Sequence, residues 1–177
     1  MMSARRAKKK KLSVLFVCTG NTCRSPLAET AFRKLLQRNE LDRLVEVSSA
    51  GLMARDGARA SSMAVQVASD RGLDLSPHRS RQLTKKIFKS ADMLIGMQRT
   101  HLLPLEQLKQ AAGKELLQLG PFHSDRKLST NEEGIRDPFG GGRKEYEHVF
   151  DTILSCLDGL LEYLRNRVAL ERESTRD

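Results

Sequence analysis

The chain has 177 residues, 39% hydrophobic and 30% charged, with 12 Gly and only 5 Pro, which fits one domain around a single core and excludes fibrous and low-complexity disordered proteins. No apolar run approaches the ~20 residues of a membrane-spanning helix, and three cysteines, an odd number, argue against a disulfide scaffold, so a cytoplasmic, thiol-containing protein is expected. The formal net charge is +9, yet Arg5, Arg6 and Lys8 to Lys11 supply six of those charges, so the excess belongs mostly to a tail.

Residues 1–11 therefore read as a disordered basic arm, residues 12–168 as the domain and residues 169–177 as a C-terminal tail. The apolar stretch after the arm is too short for the hydrophobic region of a signal peptide. Aromatic residues make up 5% of the chain and none lies in the arm, so nucleic-acid binding is not expected.

Ser13 to Val17 is a continuous apolar run rich in strand formers, as a strand buried on both faces requires. A polar turn containing Gly20 follows. Pro26 then stands where the first turn of a helix tolerates it, and Leu27, Ala31, Phe32, Leu35 and Leu36 mark that helix's apolar face. Val45 to Ser49 predicts a second strand, Ala60 to about Arg71 a second helix, Met93 to Met97 a third strand, Leu102 to Ala111 a short helix and Glu115 to Leu119 a fourth strand. Residues 120–142 form the longest irregular stretch, and such loops in compact domains often carry function. The last helix has the strongest pattern: Tyr146, Val149, Phe150, Ile153, Leu154, Leu157, Leu160, Leu161 and Leu164 hold the spacing of a core-facing stripe. Alternating strands and helices predict a three-layer α/β/α domain with a four-stranded parallel sheet, Rossmann-like or flavodoxin-like, whose ligands bind beyond the carboxyl ends of the strands.

That rule directs attention to Cys18-Thr19-Gly20-Asn21-Thr22-Cys23-Arg24-Ser25, between the first strand and the first helix. Backbone N–H groups at a helix start have no internal partners and the helix dipole adds partial positive charge, so a phosphate-sized oxyanion fits such a turn. Arg24 can curl back to hold two oxygens of that anion with its planar guanidinium. The same field favours a thiolate at Cys18, and a thiolate facing a phosphate is a nucleophile that can form a covalent phospho-cysteine. Ser25 is placed to donate to the sulfur, and Asn21 to hold the loop's shape through its amide. The bare Cys-x5-Arg spacing is a weak signal; its position between a buried strand and a helix opened by Pro26 gives it weight.

Such chemistry needs an acid for the leaving group, on a different loop. Asp137 is the candidate, because Asp137-Pro138-Phe139-Gly140-Gly141-Gly142 sets a carboxylate before a rigid proline, an aromatic and a flexible run just ahead of the last helix. Asp125, in the same irregular stretch, is the competing acid. His78, His101, His123 and His148 show no metal-ligand spacing and are assigned ordinary surface or core roles.

Together these residues resemble the low-molecular-weight protein-tyrosine phosphatase family over roughly residues 12–168. Val17 to Glu29 resembles its phosphate loop and following helix, Ser49-Ala50-Gly51 the end of its second strand, Ser80 to Thr84 a mid-chain signature, and Asp137-Pro138 its acid loop. The resemblance implies Cys18 as nucleophile, Arg24 as phosphate binder, Ser25 as thiolate partner and Asp137 as general acid. It implies a substrate-binding role for Thr19, Gly20, Asn21, Thr22, Cys23 and Phe139, with no metal and no cofactor.

Within the family, Thr22 and Phe139-Gly140-Gly141 look like the protein-arginine phosphatase branch. Phosphotyrosine enzymes typically carry a larger aliphatic residue at the first position and a tyrosine pair after Asp-Pro. The resemblance thus implies hydrolysis of protein phosphoarginine, with phosphotyrosine as the alternative. Leu52 to Arg55, where relatives build one wall of the cleft, lacks an aromatic. Arsenate reductases share a similar loop but need further clustered mid-chain cysteines, which are absent here, since Cys156 lies among apolar residues of the last helix. The resemblance also implies a reversible Cys18–Cys23 disulfide under oxidation, against the simpler reading of Cys23 as a packed loop cysteine. The expected partners are phosphorylated proteins, with inorganic phosphate as product, no membrane, and a monomer or weak dimer.

Overall fold

The computed structural model describes residues 11–125 and 134–173; the arm expected over residues 1–11 falls, except for Lys11, outside the described residues, as do residues 174–177 of the expected tail. The elements are β1 (Leu12–Cys18), α1 (Arg24–Arg38), β2 (Val45–Gly51), α2 (Ser62–Ser69), α3 (Lys85–Ser90), β3 (Met93–Gly96), α4 (Arg99–Ala112), β4 (Glu115–Gln118) and α5 (Arg143–Glu173), with a 3₁₀ turn at Gly120–Phe122.

All four strands are parallel in the order β2-β1-β3-β4. The chain reverses its direction of winding between β1 and β3, and the loop after β1 therefore opens at the topological switch point of the sheet. The alternation of β1 explains the three layers. Val14, Phe16 and Cys18 join the buried cluster formed with α1, α2 and α5, whereas Leu15 and Val17 join the smaller cluster with Phe88, Ala91, Leu94 and Leu105 on the α3 and α4 side.

The predicted stripe of α5 is buried at every position but Leu154, which is half-buried. This helix runs to Glu173, beyond the predicted stripe, and Val168, one turn past Leu164, still joins the buried cluster. Capping accounts for one shifted boundary and for one element the sequence reading lacked. α2 starts at Ser62 because the Ser61 side chain accepts from Ala64 N at 3.2 Å, and the unpredicted α3 is started by Thr84, which accepts from Ile87 N at 3.2 Å. At six residues, α3 is too short to show a helical period.

Candidate active site

Cys18 ends the central strand, in register with Gly51 on β2. The backbone around it is held by Leu52 N donating to Cys18 O and Met53 N to Thr19 O, both at 2.9 Å. This approach is so close that a Cβ on Gly51 would stand 2.6 Å from Thr19 O and 2.9 Å from Asn21 N, so only glycine fits. α1 begins at Arg24 with no side-chain cap and no acidic residue in its first turn. Its free N–H groups and dipole thus face the loop without a competing carboxylate on that turn.

Asn21 organises the loop. It is fully buried with φ of +54°, a left-handed conformation that Asn tolerates better than most residues. Its Nδ2 donates to Ser25 Oγ at 2.9 Å and Ser49 Oγ at 2.8 Å, and its Oδ1 accepts from Arg81 N at 3.0 Å. Its backbone oxygen lies 2.8 Å from His78 Nε2, and the Ser49 hydroxyl donates to Glu29 Oε2 at 2.6 Å.

These bonds decide the direction of the next one. Because Ser25 Oγ already accepts from Asn21, its hydroxyl proton is available to Cys18 Sγ, 2.9 Å away, and Asn21 N donates to the same sulfur at 3.2 Å. Two donors thus converge on one sulfur.

Arg24 is 2% exposed. Its Nη1 donates to Gln98 Oε1 at 2.7 Å and Ile135 O at 3.1 Å, and its Nη2 donates to Asp137 Oδ2. Asp137 accepts from Phe139 N at 3.2 Å through its other oxygen, a turn that sets the acid loop. Cys18, Thr19, Gly20, Thr22, Cys23, Arg24, Asp137 and Phe139 line one pocket of about 230 Å³. The remaining predicted residues, Asn21 and Ser25, lie buried behind it. Asp125, the competing acid, is exposed and does not line this pocket.

The model of the low molecular weight phosphotyrosine protein phosphatase family matches residues 13–170. The chain belongs to that family. A protein-arginine-phosphatase of Geobacillus stearothermophilus is 36% identical over 153 residues, covering 86% of this chain and 95% of its own. A low molecular weight protein-tyrosine-phosphatase of Streptomyces coelicolor is 33% identical over 160 residues, covering 88% and 94%. Among solved structures, a cysteine-to-serine mutant of the YwlE arginine phosphatase, with a phosphorylated active-site serine, superposes with a TM-score of 0.77 at 29% identity, covering 88% of this chain and 99% of that one.

Two side chains of this family member's site were not singled out from the sequence. Gln98 follows β3 and orients Arg24. His101 is buried beside it, with Nε2 3.1 Å from Thr19 Oγ1 and Nδ1 accepting from Gln98 N at 3.0 Å. Burial pushes this imidazole down to about 4, with the charge of Arg24 lowering it further and that of Asp137 opposing. The one available signal was position, since both residues follow the carboxyl end of a central strand.

Cys23 is buried with Sγ 3.4 Å from Ser61 Oγ and 3.2 Å from Tyr146 OH. Burial first, then this bond to Cys23, pushes the Tyr146 phenol up to about 12. Cys156 is fully buried and its thiol is pushed up to about 12 by burial, consistent with a core side chain. Among the described residues, no group of three or more His, Cys, Asp or Glu is placed to hold a metal ion, and no helix is long and apolar enough to cross a membrane.

Proposed function

We propose that this protein is a cysteine-dependent protein phosphatase that hydrolyses phosphoarginine. The observation that carries the chemistry is the pair of donors aimed at Cys18 Sγ on the floor of a pocket that also holds Arg24 and Asp137. In the first step the Cys18 thiolate attacks phosphorus, the bond from phosphorus to the leaving group breaks, and Asp137 gives its proton to the departing nitrogen. In the second, a water loses a proton to Asp137 and attacks the phospho-cysteine, releasing inorganic phosphate and the thiolate. Arg24 and the N–H groups of the loop carry the oxyanion charge throughout.

The substrate preference rests on the pocket wall. Thr22 lines the pocket with a side chain whose hydroxyl can hydrogen-bond a guanidinium, and Phe139, 78% exposed, lines it too. The similarity to the Geobacillus protein-arginine-phosphatase supports this reading. The Streptomyces relative, a protein-tyrosine-phosphatase, favours phosphotyrosine as the second reading. Every group in the scheme comes from one chain, which suits a monomer or weak dimer acting on phosphorylated proteins. A nucleophilic thiol suits a reducing compartment such as the cytoplasm. The test is hydrolysis of phosphoarginine and phosphotyrosine peptides of matched sequence. Faster turnover of the phosphoarginine peptide is expected, and faster turnover of the phosphotyrosine peptide overturns the preference.

A further inference from the structure

We propose that His101 is a positioning residue that joins two parts of the phosphate pocket, fixing the hydroxyl of Thr19 through Nε2 and, through Nδ1, the backbone of Gln98, whose side chain holds Arg24. This inference rests on the phosphatase reading of the same pocket and assigns a task to a side chain that touches neither sulfur nor acid.

The hydrogen bonds fix the tautomer. A backbone N–H can only donate, so Nδ1, 3.0 Å from Gln98 N, must be the acceptor. The ring proton then sits on Nε2 and is donated to Thr19 Oγ1 at 3.1 Å. With its oxygen thus engaged, Thr19 keeps its own hydroxyl proton for an acceptor, and Thr19 lines the pocket directly after Cys18. On the other side, Gln98 Oε1 accepts from Arg24 Nη1 at 2.7 Å, so the anchor on the Gln98 backbone becomes an anchor on the guanidinium. Only a neutral imidazole can serve both bonds, because a charged ring would turn an N–H against the N–H of Gln98. Burial and the neighbouring Arg24 keep it neutral, against the opposing charge of Asp137.

The two arms can be separated by isosteres. In His101→Asn the Oδ1 takes the place of Nδ1 and keeps the bond to Gln98 N while losing Thr19. In His101→Gln the Nε2 takes the place of the ring Nε2 and keeps Thr19 while losing Gln98. The experiment measures phosphate affinity by calorimetry and kcat on the better phosphopeptide, well below each variant's unfolding temperature. His101→Asn should bind inorganic phosphate within about twofold of wild type but turn over about tenfold more slowly. His101→Gln should instead weaken phosphate binding about tenfold. Equal phosphate affinities in wild type and both variants, or identical behaviour of the two variants, would overturn the proposal whatever happens to stability. A wild type without phosphatase activity sinks the functional reading instead, and calorimetry then decides the Gln98 arm by itself.

Discussion

The guanidinium of Arg24 donates to the carboxylate of Asp137 at the mouth of the pocket, tying the first turn of α1 to a loop 113 residues later. Arg24 is also held from behind through Nη1 by Gln98 and Ile135, whereas Asp137 is 43% exposed. Arg24 is thus anchored from inside the fold, and Asp137 meets it from the solvent side. In the reaction proposed above, a phosphoryl group would use the same Nη2 and so compete with Asp137, leaving the carboxyl free to serve the leaving group.

Asp137→Asn separates the two consequences. Loss of the general acid should lower kcat by roughly 10²- to 10⁴-fold. Loss of the competing carboxylate should at the same time make inorganic phosphate a tighter competitive inhibitor. Steady-state kinetics with a phosphate titration measures both, and a variant that loses activity while binding phosphate more weakly would contradict the competition.

Thr22→Ile replaces the hydroxyl in the pocket wall with an aliphatic group. The ratio of kcat/KM for phosphoarginine over phosphotyrosine peptides should fall by roughly tenfold or more, in keeping with what one such contact is worth in a binding pocket. An unchanged ratio would show that Thr22 only packs the loop.

Asn21 combines a left-handed backbone with a buried amide, and two substitutions distinguish these features. Asn21→Gly keeps the conformation and loses the amide bonds to Ser25, Ser49 and Arg81. Asn21→Ala loses both, and should be less stable than the glycine variant by about 1 kcal/mol in urea unfolding. Both should lose most activity, since Ser25 is no longer oriented toward Cys18.

His101 links the site to acid stability. Its folded value of about 4 lies below the 6.5 of an ordinary histidine, so the unfolded chain takes up this proton first as pH falls. The native state's advantage is complete above pH ~6.5, declines through the window down to about 4 and is lost below it, a contribution of roughly 3 kcal/mol. Arg24 lowers this value and Asp137 raises it, so both shape the window. Denaturant midpoints measured between pH 7 and pH 4 should fall less steeply in His101→Asn than in wild type.

The parts of this site that were legible in the sequence are those made by neighbours in the chain. The buried run of β1, the polar turn and Pro26 pointed to a turn between β1 and α1 that gathers Cys18, Arg24 and Ser25, and the fold has them there; the Asp-Pro-Phe-Gly run marked a loop that the fold brings to the same pocket. What escaped was contact across the sheet. Gln98 and His101 reach the loop only because β3 pairs beside β1, with Val17 opposite Gly96, and Ser49, His78 and Arg81 meet Asn21 only through the register of β2 and the segment after α2. His101 in particular reads as an ordinary core residue in the sequence, since nothing in its spacing reveals a hydroxyl above it and a backbone donor below.

The proposed chemistry requires Cys18 to carry the phosphoryl group during turnover. Rapid acid quenching during hydrolysis of the preferred phosphopeptide, followed by mass spectrometry of the intact protein and its peptides, should find one phosphoryl group on Cys18, and Cys18→Ala should neither acquire it nor release phosphate. Phosphate release that continues normally in Cys18→Ala, or a phosphoryl group mapped to any other side chain, would contradict it.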